Sequence, residues 1–458
     1  MYHAETWNEK IKLFLQVLWP IMVTQIGLYA MNLTDTMMSG RVGTDDLAGV
    51  AIGSNIWMPV FTGINGIMLA ITPIVSHLLG QGKKEKISYS VTQALYLAAI
   101  IAVIILLIGI FFLEPILSIM SLAPNVEYIA FHYLLGLSIG IVPLFLYNVL
   151  RNFFDAQGFT QITMIITILA VPVNIFLNYC LVFGHFGFPR LGGIGAGYTT
   201  GFTYWFILII SILISFKIEK IRNYKIGKVW FKPSIKAWRE QLSIGIPIGL
   251  TIFFESSIFA VVTLLVGMMF STITVAANQV AFSFTSLLFM IPLSLSMAMT
   301  IMIGYSVGGR RLDNAKKYSL LGVVGGMAFM GFASIFLLFF KEQIAAIYSN
   351  DPEVILLAAN FFVIAIFYQI SDAAQAGLQG VLRGYKDVKI PFIIAFISYW
   401  VIGIPVGYSL AAFTELEAYG FWIGISVGLT AAAIGFYIRL KSIHHKEKEK
   451  QVGISELS

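Results

Sequence analysis

The sequence predicts an all-α polytopic membrane protein: twelve transmembrane helices in two six-helix lobes, related by a pseudo-twofold axis along the membrane normal. Three observations predict it. Of 458 residues, 58% are hydrophobic and only 11% charged, where a soluble domain carries about 25% charged residues. Apolar stretches recur along the chain, each long enough for the ~20 residues a helix needs to cross a bilayer. The second half repeats features of the first at an offset of 226–228 residues.

Twelve stretches fall near 11–38, 48–76, 88–113, 126–150, 161–184, 194–216, 241–269, 276–305, 317–340, 354–382, 388–412 and 418–440. The basic residues test this count. With the N-terminus placed in the cytoplasm, 26 of the 29 Lys and Arg lie in or beside inner segments, and only Arg41, Arg190 and Lys341 lie outside. That is the positive-inside pattern, and one span more or fewer would scramble it. A multi-pass protein of the plasma (inner) membrane is expected, with both termini cytoplasmic. The first apolar segment contains Pro20 and is too long for a signal-peptide core. Expected limits are an N-terminal lobe at 1–216, a basic cytoplasmic linker at 217–240, a C-terminal lobe at 241–440 and a cytoplasmic tail at 441–458. The linker carries eight basic residues and reads as a solvated connector and topology anchor, with anionic lipid headgroups as the competing partner.

The spans carry polar stripes that lipid-facing helices lack. In the first, Gln25, Asn32, Asp35 and Thr36 share a side, with Asp35 in the outer half. The second has Asn55, Thr62, Asn65 and Thr72; the fifth has Asn174 and Asn178 four apart, just after Pro172. The sixth opens with glycines at 193, 195, 197 and 201, whose small-xxx-small spacing reads as tight helix packing rather than a nucleotide loop. In the seventh, Glu255 is bracketed by Phe253, Phe254 and Phe259. The eighth has Asn278 and Gln279 leading to Ser283 and Ser286. In the tenth, Tyr368, Asp372, Gln375 and Gln379 follow one another at helical steps on a single face. His132 in the fourth reads as a packing residue. Prolines at 20, 59, 73, 143, 172, 247, 292, 391 and 405 lie in or at the ends of spans, where some should kink their helices.

Asp35, Glu255 and Asp372 are the acids well inside the expected spans, every other Asp or Glu lying in a loop, at a span end or in the tails, and the charges read as buried are all acidic. A carboxylate at mid-membrane costs about 3 kcal/mol on insertion scales, so it needs a partner or a function. Two convergences are expected: Asp35, Asn174 and Asn178 with Thr199 or Thr200 in the first half, and Glu255, Asp372, Tyr368, Asn278 and Gln279 in the second. Carboxylate and amide oxygens suit a hard cation such as Na⁺, and a carboxylate that gains and loses a proton suits H⁺. An acid that binds a coupling ion or an organic cation, but not both at once, would link two opposite flows, provided each ligand favours a different conformation.

Other chemistries find little support. A single cysteine, Cys180, leaves no pair for an internal disulfide. Walker A, HExxH and GxSxG sequences are absent. The net charge of +6 is topological here, and no nucleic-acid partner is expected. No cofactor is expected beyond the coupling ion. An intramembrane enzyme would need a nucleophile–base pair or metal ligands in the spans, and a passive channel would not need a two-lobe repeat.

Taken in order, several pieces resemble the multidrug and toxic compound extrusion (MATE) family, in its bacterial NorM-type branch. They are Pro20, the run Asn32–Gly40 around Asp35, Leu47–Ala51, Asn174 with Asn178, Pro247 followed by Glu255, Ala276–Ala281, and Tyr368 with Asp372. The resemblance covers essentially the whole chain. It implies a V-shaped pair of lobes, no enzymatic activity, and export of cationic, often aromatic drugs and dyes in exchange for Na⁺ or H⁺. By position it implies Asp35, Asn174 and Asn178 as an N-lobe acid-and-amide cluster. It further implies Glu255 and Asp372 as a C-lobe cation site, with Tyr368 beside it as a Na⁺ ligand candidate. Phe254, Phe259, Gln375, Asn32, Asn278 and Gln279 are the remaining substrate-cavity candidates. Asn278 stands where the family has His as often, which leaves one titratable group fewer. Small organic cations and membrane lipids are the expected partners, and a monomer is expected. The alternative within the superfamily is a lipid-linked oligosaccharide flippase, which would favour a basic cavity.

Overall fold

The computed structural model describes residues 4–455, with the side chains of 450–455 left aside. The last residues of the expected tail, 456–458, and the Lys450 side chain lie outside the described part. Among the described residues eleven helices are long and apolar enough to cross a membrane, and a bent pair, counted as one span, makes twelve. These are α1 (Trp7–Val42), α2 (Thr44–Gly80), α3 (Lys84–Ile119), α4 (Pro124–Ser138 with Ile141–Ala156), α5 (Thr160–Phe183) and α6 (Gly193–Lys217). The second half has α7 (Ile235–Met269), α8 (Thr272–Gly308), α9 (Leu312–Tyr348), α10 (Pro352–Gly384), α11 (Lys389–Phe413) and α12 (Tyr419–Glu449). The all-α fold and the twelve-span count follow the hydropathy because a backbone crossing lipid must satisfy its own hydrogen bonds.

The chain divides into two compact units. One holds Trp19–Gly249; the other holds the residues up to Leu18 and those from Leu250 onward. Both α1 and α7 therefore change unit part-way along, each within two residues of the proline, Pro20 or Pro247, that opens its repeat.

The repeat is written in the backbone. Gly82 and Arg310 take left-handed φ of 74° and 58°, and Gly158 and Lys386 take 82° and 59°. Their hydrogen bonds match residue for residue at an offset of 228: Lys83 N–H donates to the Leu78 carbonyl as Arg311 does to Ser306, and Phe159 to Phe154 as Asp387 does to Leu382. The turn geometry thus pairs Gly158 with Lys386. The 226-residue end of the sequence offset, which would set Gln157-Gly158 against Arg383-Gly384, is two residues out of register, because the left-handed position is held by Lys in one repeat and Gly in the other.

In the first unit the glycine string packs helices. A Cβ on Gly197 would meet the Tyr133 carbonyl oxygen at 2.1 Å, and one on Gly195 would meet that of Leu181 at 2.6 Å. Prolines act unevenly. Helices run through Pro20, Pro172, Pro247 and Pro292, while α4 breaks by 50° at residues 139–140. Pro143 has no N–H for the Ile139 carbonyl, and Trp205 Nε1 donates to that oxygen instead at 2.9 Å.

The linker departs from the expected solvated connector. Its eight basic residues are exposed, yet its backbone is docked on the first unit. Gln93 donates to the Lys232 carbonyl and accepts from Ser234 N–H, Tyr96 donates to the Phe231 carbonyl, and Tyr224 donates to Gln157. Ile221 and Ile226 are buried beneath it.

Candidate functional site

In the first unit α1, α5 and α6 bring four side chains together. Asp35 is buried, and its Oδ1 accepts from Asn178 Nδ2 at 2.6 Å and Asn174 Nδ2 at 3.3 Å. Its Oδ2 accepts from Thr200 Oγ1 at 2.5 Å. Three neutral donors thus surround one carboxylate, which is how a buried acid is made tolerable. Of the two threonines, Thr200 is the partner; Thr199 is buried without one. Asn32 is not in this cluster. It lies exposed, with Nδ2 4.0 Å from Met58 sulfur.

In the second unit Gln375 of α10 bridges two acids. Its Nε2 donates to Glu255 Oε1 of α7 at 2.7 Å and to Asp372 Oδ1 at 2.9 Å, while its Oε1 accepts from Tyr399 OH at 2.8 Å. All four side chains are buried. Tyr399 sits in a seven-residue π-helical stretch of α11, Ile397–Gly403. Such i→i+5 turns often accompany functional sites.

Aromatic rings line the same unit. Phe259 packs edge-on against Tyr368 and Phe282 at 6.0 and 5.6 Å, and Phe282 stacks on Trp422 at 4.6 Å. Trp422 Nε1 donates to Asn278 Oδ1 at 3.0 Å. Two candidates fall elsewhere. Phe254 turns to Phe392, Phe396 and Trp400 of α11. Gln279 is exposed while Asn278 is buried, since consecutive helical residues point about 100° apart.

The expectation that buried charges are all acidic needs correction. Lys10, Arg151 and Arg383 are buried, and so is a fourth acid, Asp155. Arg151 Nε lies 3.7 Å from Asp155 Oδ2, and Thr163 donates to Asp155 Oδ1 at 2.8 Å. Arg383 donates to Gln379 at 2.5 Å, and Lys10 donates to the Ala4 and Glu5 carbonyls. The helices α4 and α10 run on past the expected span ends at 150 and 382, so Arg151, Asp155 and Arg383 lie within helix packing rather than in loops, with Arg151 Nε and Nη2 lacking a hydrogen-bond partner among the described residues.

A family model described as MatE matches residues 20–180 and, a second time, 247–409. A "Probable multidrug resistance protein NorM" of Halalkalibacterium halodurans is 49% identical over 446 residues, covering 97% of each chain. A protein of the same description from Bacillus subtilis is 48% identical over 451 residues, covering 98% of this chain and all of that one. Among solved structures, one described as the outward-facing conformation of a multidrug resistance MATE family transporter superposes with a TM-score of 0.87 at 18% identity, over 96% of each chain. The eukaryotic MATE transporter AtDTX14 superposes at 0.85 with 21% identity, over 96% of this chain and 98% of that one. These two share the fold, while the sequence matches carry the assignment: the chain belongs to the MatE family and is a membrane transporter, not an enzyme.

Proposed function

We propose that this transporter is a secondary antiporter that exports amphipathic organic cations, drugs and dyes among them, in exchange for inward Na⁺ or H⁺. It works in the plasma membrane as a monomer with both termini in the cytoplasm, and its solvent on the lipid face is the bilayer. The carrying observation is the pair Glu255 and Asp372, two buried carboxylates held on one amide nitrogen. The two carboxylates share a single neutral hydrogen-bond donor, and the buried Arg383 guanidinium is the one fixed cation whose charge acts on Glu255. A cation there recovers electrostatic energy that neutral donors cannot supply. Asp35, with three donors of its own, has more hydrogen bonds and is the second candidate carboxylate. The aromatic group of Phe259, Phe282, Tyr368 and Trp422 supplies faces that suit a flat organic cation. The naming of close relatives as probable multidrug resistance proteins supports the same reading. A flippase for anionic pyrophosphate is less favoured, because the buried Arg151, Arg383 and Lys10 each already hold a partner nearby in sequence.

The test is ethidium movement in proteoliposomes of the purified protein under a Na⁺ gradient alone and then a pH gradient alone. Antiport predicts that at least one gradient drives dye against its own gradient. Dye that never moves uphill under either gradient contradicts the proposal.

A further inference from the structure

The Gln375 amide occupies a position that the cation would need. Only its nitrogen end can face two carboxylates, since an amide oxygen would set lone pair against lone pair. Only its oxygen end can receive the Tyr399 hydroxyl proton, and the two contacts together fix the orientation. A hard cation on oxygen ligands sits about 2.3–2.6 Å from each. The amide nitrogen stands 2.7 and 2.9 Å from one oxygen of each acid, so a cation bridging those oxygens would stand nearly where Nε2 now is. The two cannot be there together.

We infer that Gln375 is a built-in competitor for the coupling cation, and that Tyr399 is the positioning residue that holds it between Glu255 and Asp372. This rests on reading that acid pair as the ion site. In the competitor state the amide donates two charge-assisted hydrogen bonds and draws the carboxylates together. Cation entry turns the amide away and releases the Tyr399 hydroxyl, so ion occupancy at α7 and α10 is relayed to the π-helical stretch of α11. The amide also prevents the two acids from facing each other without a donor. The coupling ion must therefore exchange with a protein group rather than leave bare repelling charges, which resists uncoupled leak.

The experiment measures equilibrium binding of radiolabelled Na⁺ to the full-length protein in nanodiscs at one fixed pH, by scintillation proximity. Gln375→Leu removes the competitor and is expected to tighten Na⁺ binding at least about tenfold, since hydrogen bonds to charged groups are the stronger kind. Tyr399→Phe loosens the amide without removing it and is expected to tighten binding by a smaller factor, roughly threefold for part of one neutral hydrogen bond. A variant that merely damages the fold would weaken binding, so tightening in either variant is not a structural side effect. Should Gln375→Leu misfold, Tyr399→Phe carries the test alone. Unchanged or weaker affinity overturns the inference and makes Gln375 a ligand or a bystander. Glu255→Gln separates the two levels: if it binds Na⁺ as tightly as the wild type, the acid pair is not the ion site and the proposed function fails first.

Discussion

Asn178 donates its amide to Oδ1 of Asp35 at 2.6 Å, the shortest of the amide contacts to that acid. Its own Oδ1 has no partner among the described residues. This sets an asymmetry. In Asp35→Asn the Asn178 amide can turn over and accept from the new one, so thermal stability in detergent should stay within about 1 kcal/mol of wild type. Asn178→Leu removes a donor from a buried carboxylate and should cost roughly 1.5–3 kcal/mol. Unfolding of the two purified variants, compared by thermal melt, checks the order.

Trp422 and Asn278 allow a stricter test. The indole N–H is fully buried and meets only the Asn278 carbonyl oxygen among the hydrogen bonds described. Asn278→Leu leaves it unpaired, at about 1–3 kcal/mol. Adding Trp422→Phe removes the unmet donor, so the double variant should lose less than the two single losses added together, with a coupling of roughly 0.5–3 kcal/mol. Additive losses would contradict the pairing.

The left-handed turns predict changes of opposite sign at matched positions. Gly82 has open space where a Cβ would go, so Gly82→Ala carries only the backbone penalty and should cost about 1 kcal/mol. Arg310, 228 residues on, holds the same conformation without being glycine. Arg310→Gly should gain about 0.5–1 kcal/mol, measured by the same melts.

Close packing gives a binary outcome. Gly197→Ala drives a methyl into the Tyr133 backbone and should abolish monodisperse protein, whereas Gly325→Ala meets nothing within 4 Å on α9 and should be neutral or stabilising by up to about 1 kcal/mol. Size-exclusion profiles of the two decide it.

Much of this fold was legible because hydropathy and charge are properties of segments, and each span carries some twenty residues of signal. The Asp35 cluster was legible too, since the Asn174–Asn178 spacing puts both amides on one helical face. The Gln375 bridge was half legible: its stripe on α10 was plain, but its partner Tyr399 was not. Tyr399 lies in a π-helical stretch, and nothing in the sequence marks the change of pitch that decides where its hydroxyl goes. Trp422 and Phe282 were missed because aromatic residues in apolar spans are too common to stand out. Arg151, Asp155 and Arg383 lie beyond the expected span ends because charged residues usually end a span; here each arginine has a partner four residues away and the helices continue.

The central claim is that Glu255 and Asp372 bind the ion that drives export. The most direct measurement is gradient-driven ethidium efflux from proteoliposomes of Glu255→Gln, beside dye binding by fluorescence polarisation in detergent. The account predicts that uphill efflux is lost, by at least about tenfold in rate, while dye still binds. Wild-type gradient-driven efflux in Glu255→Gln, with loss in Asp35→Asn instead, would contradict it and move the coupling ion to the other acid cluster.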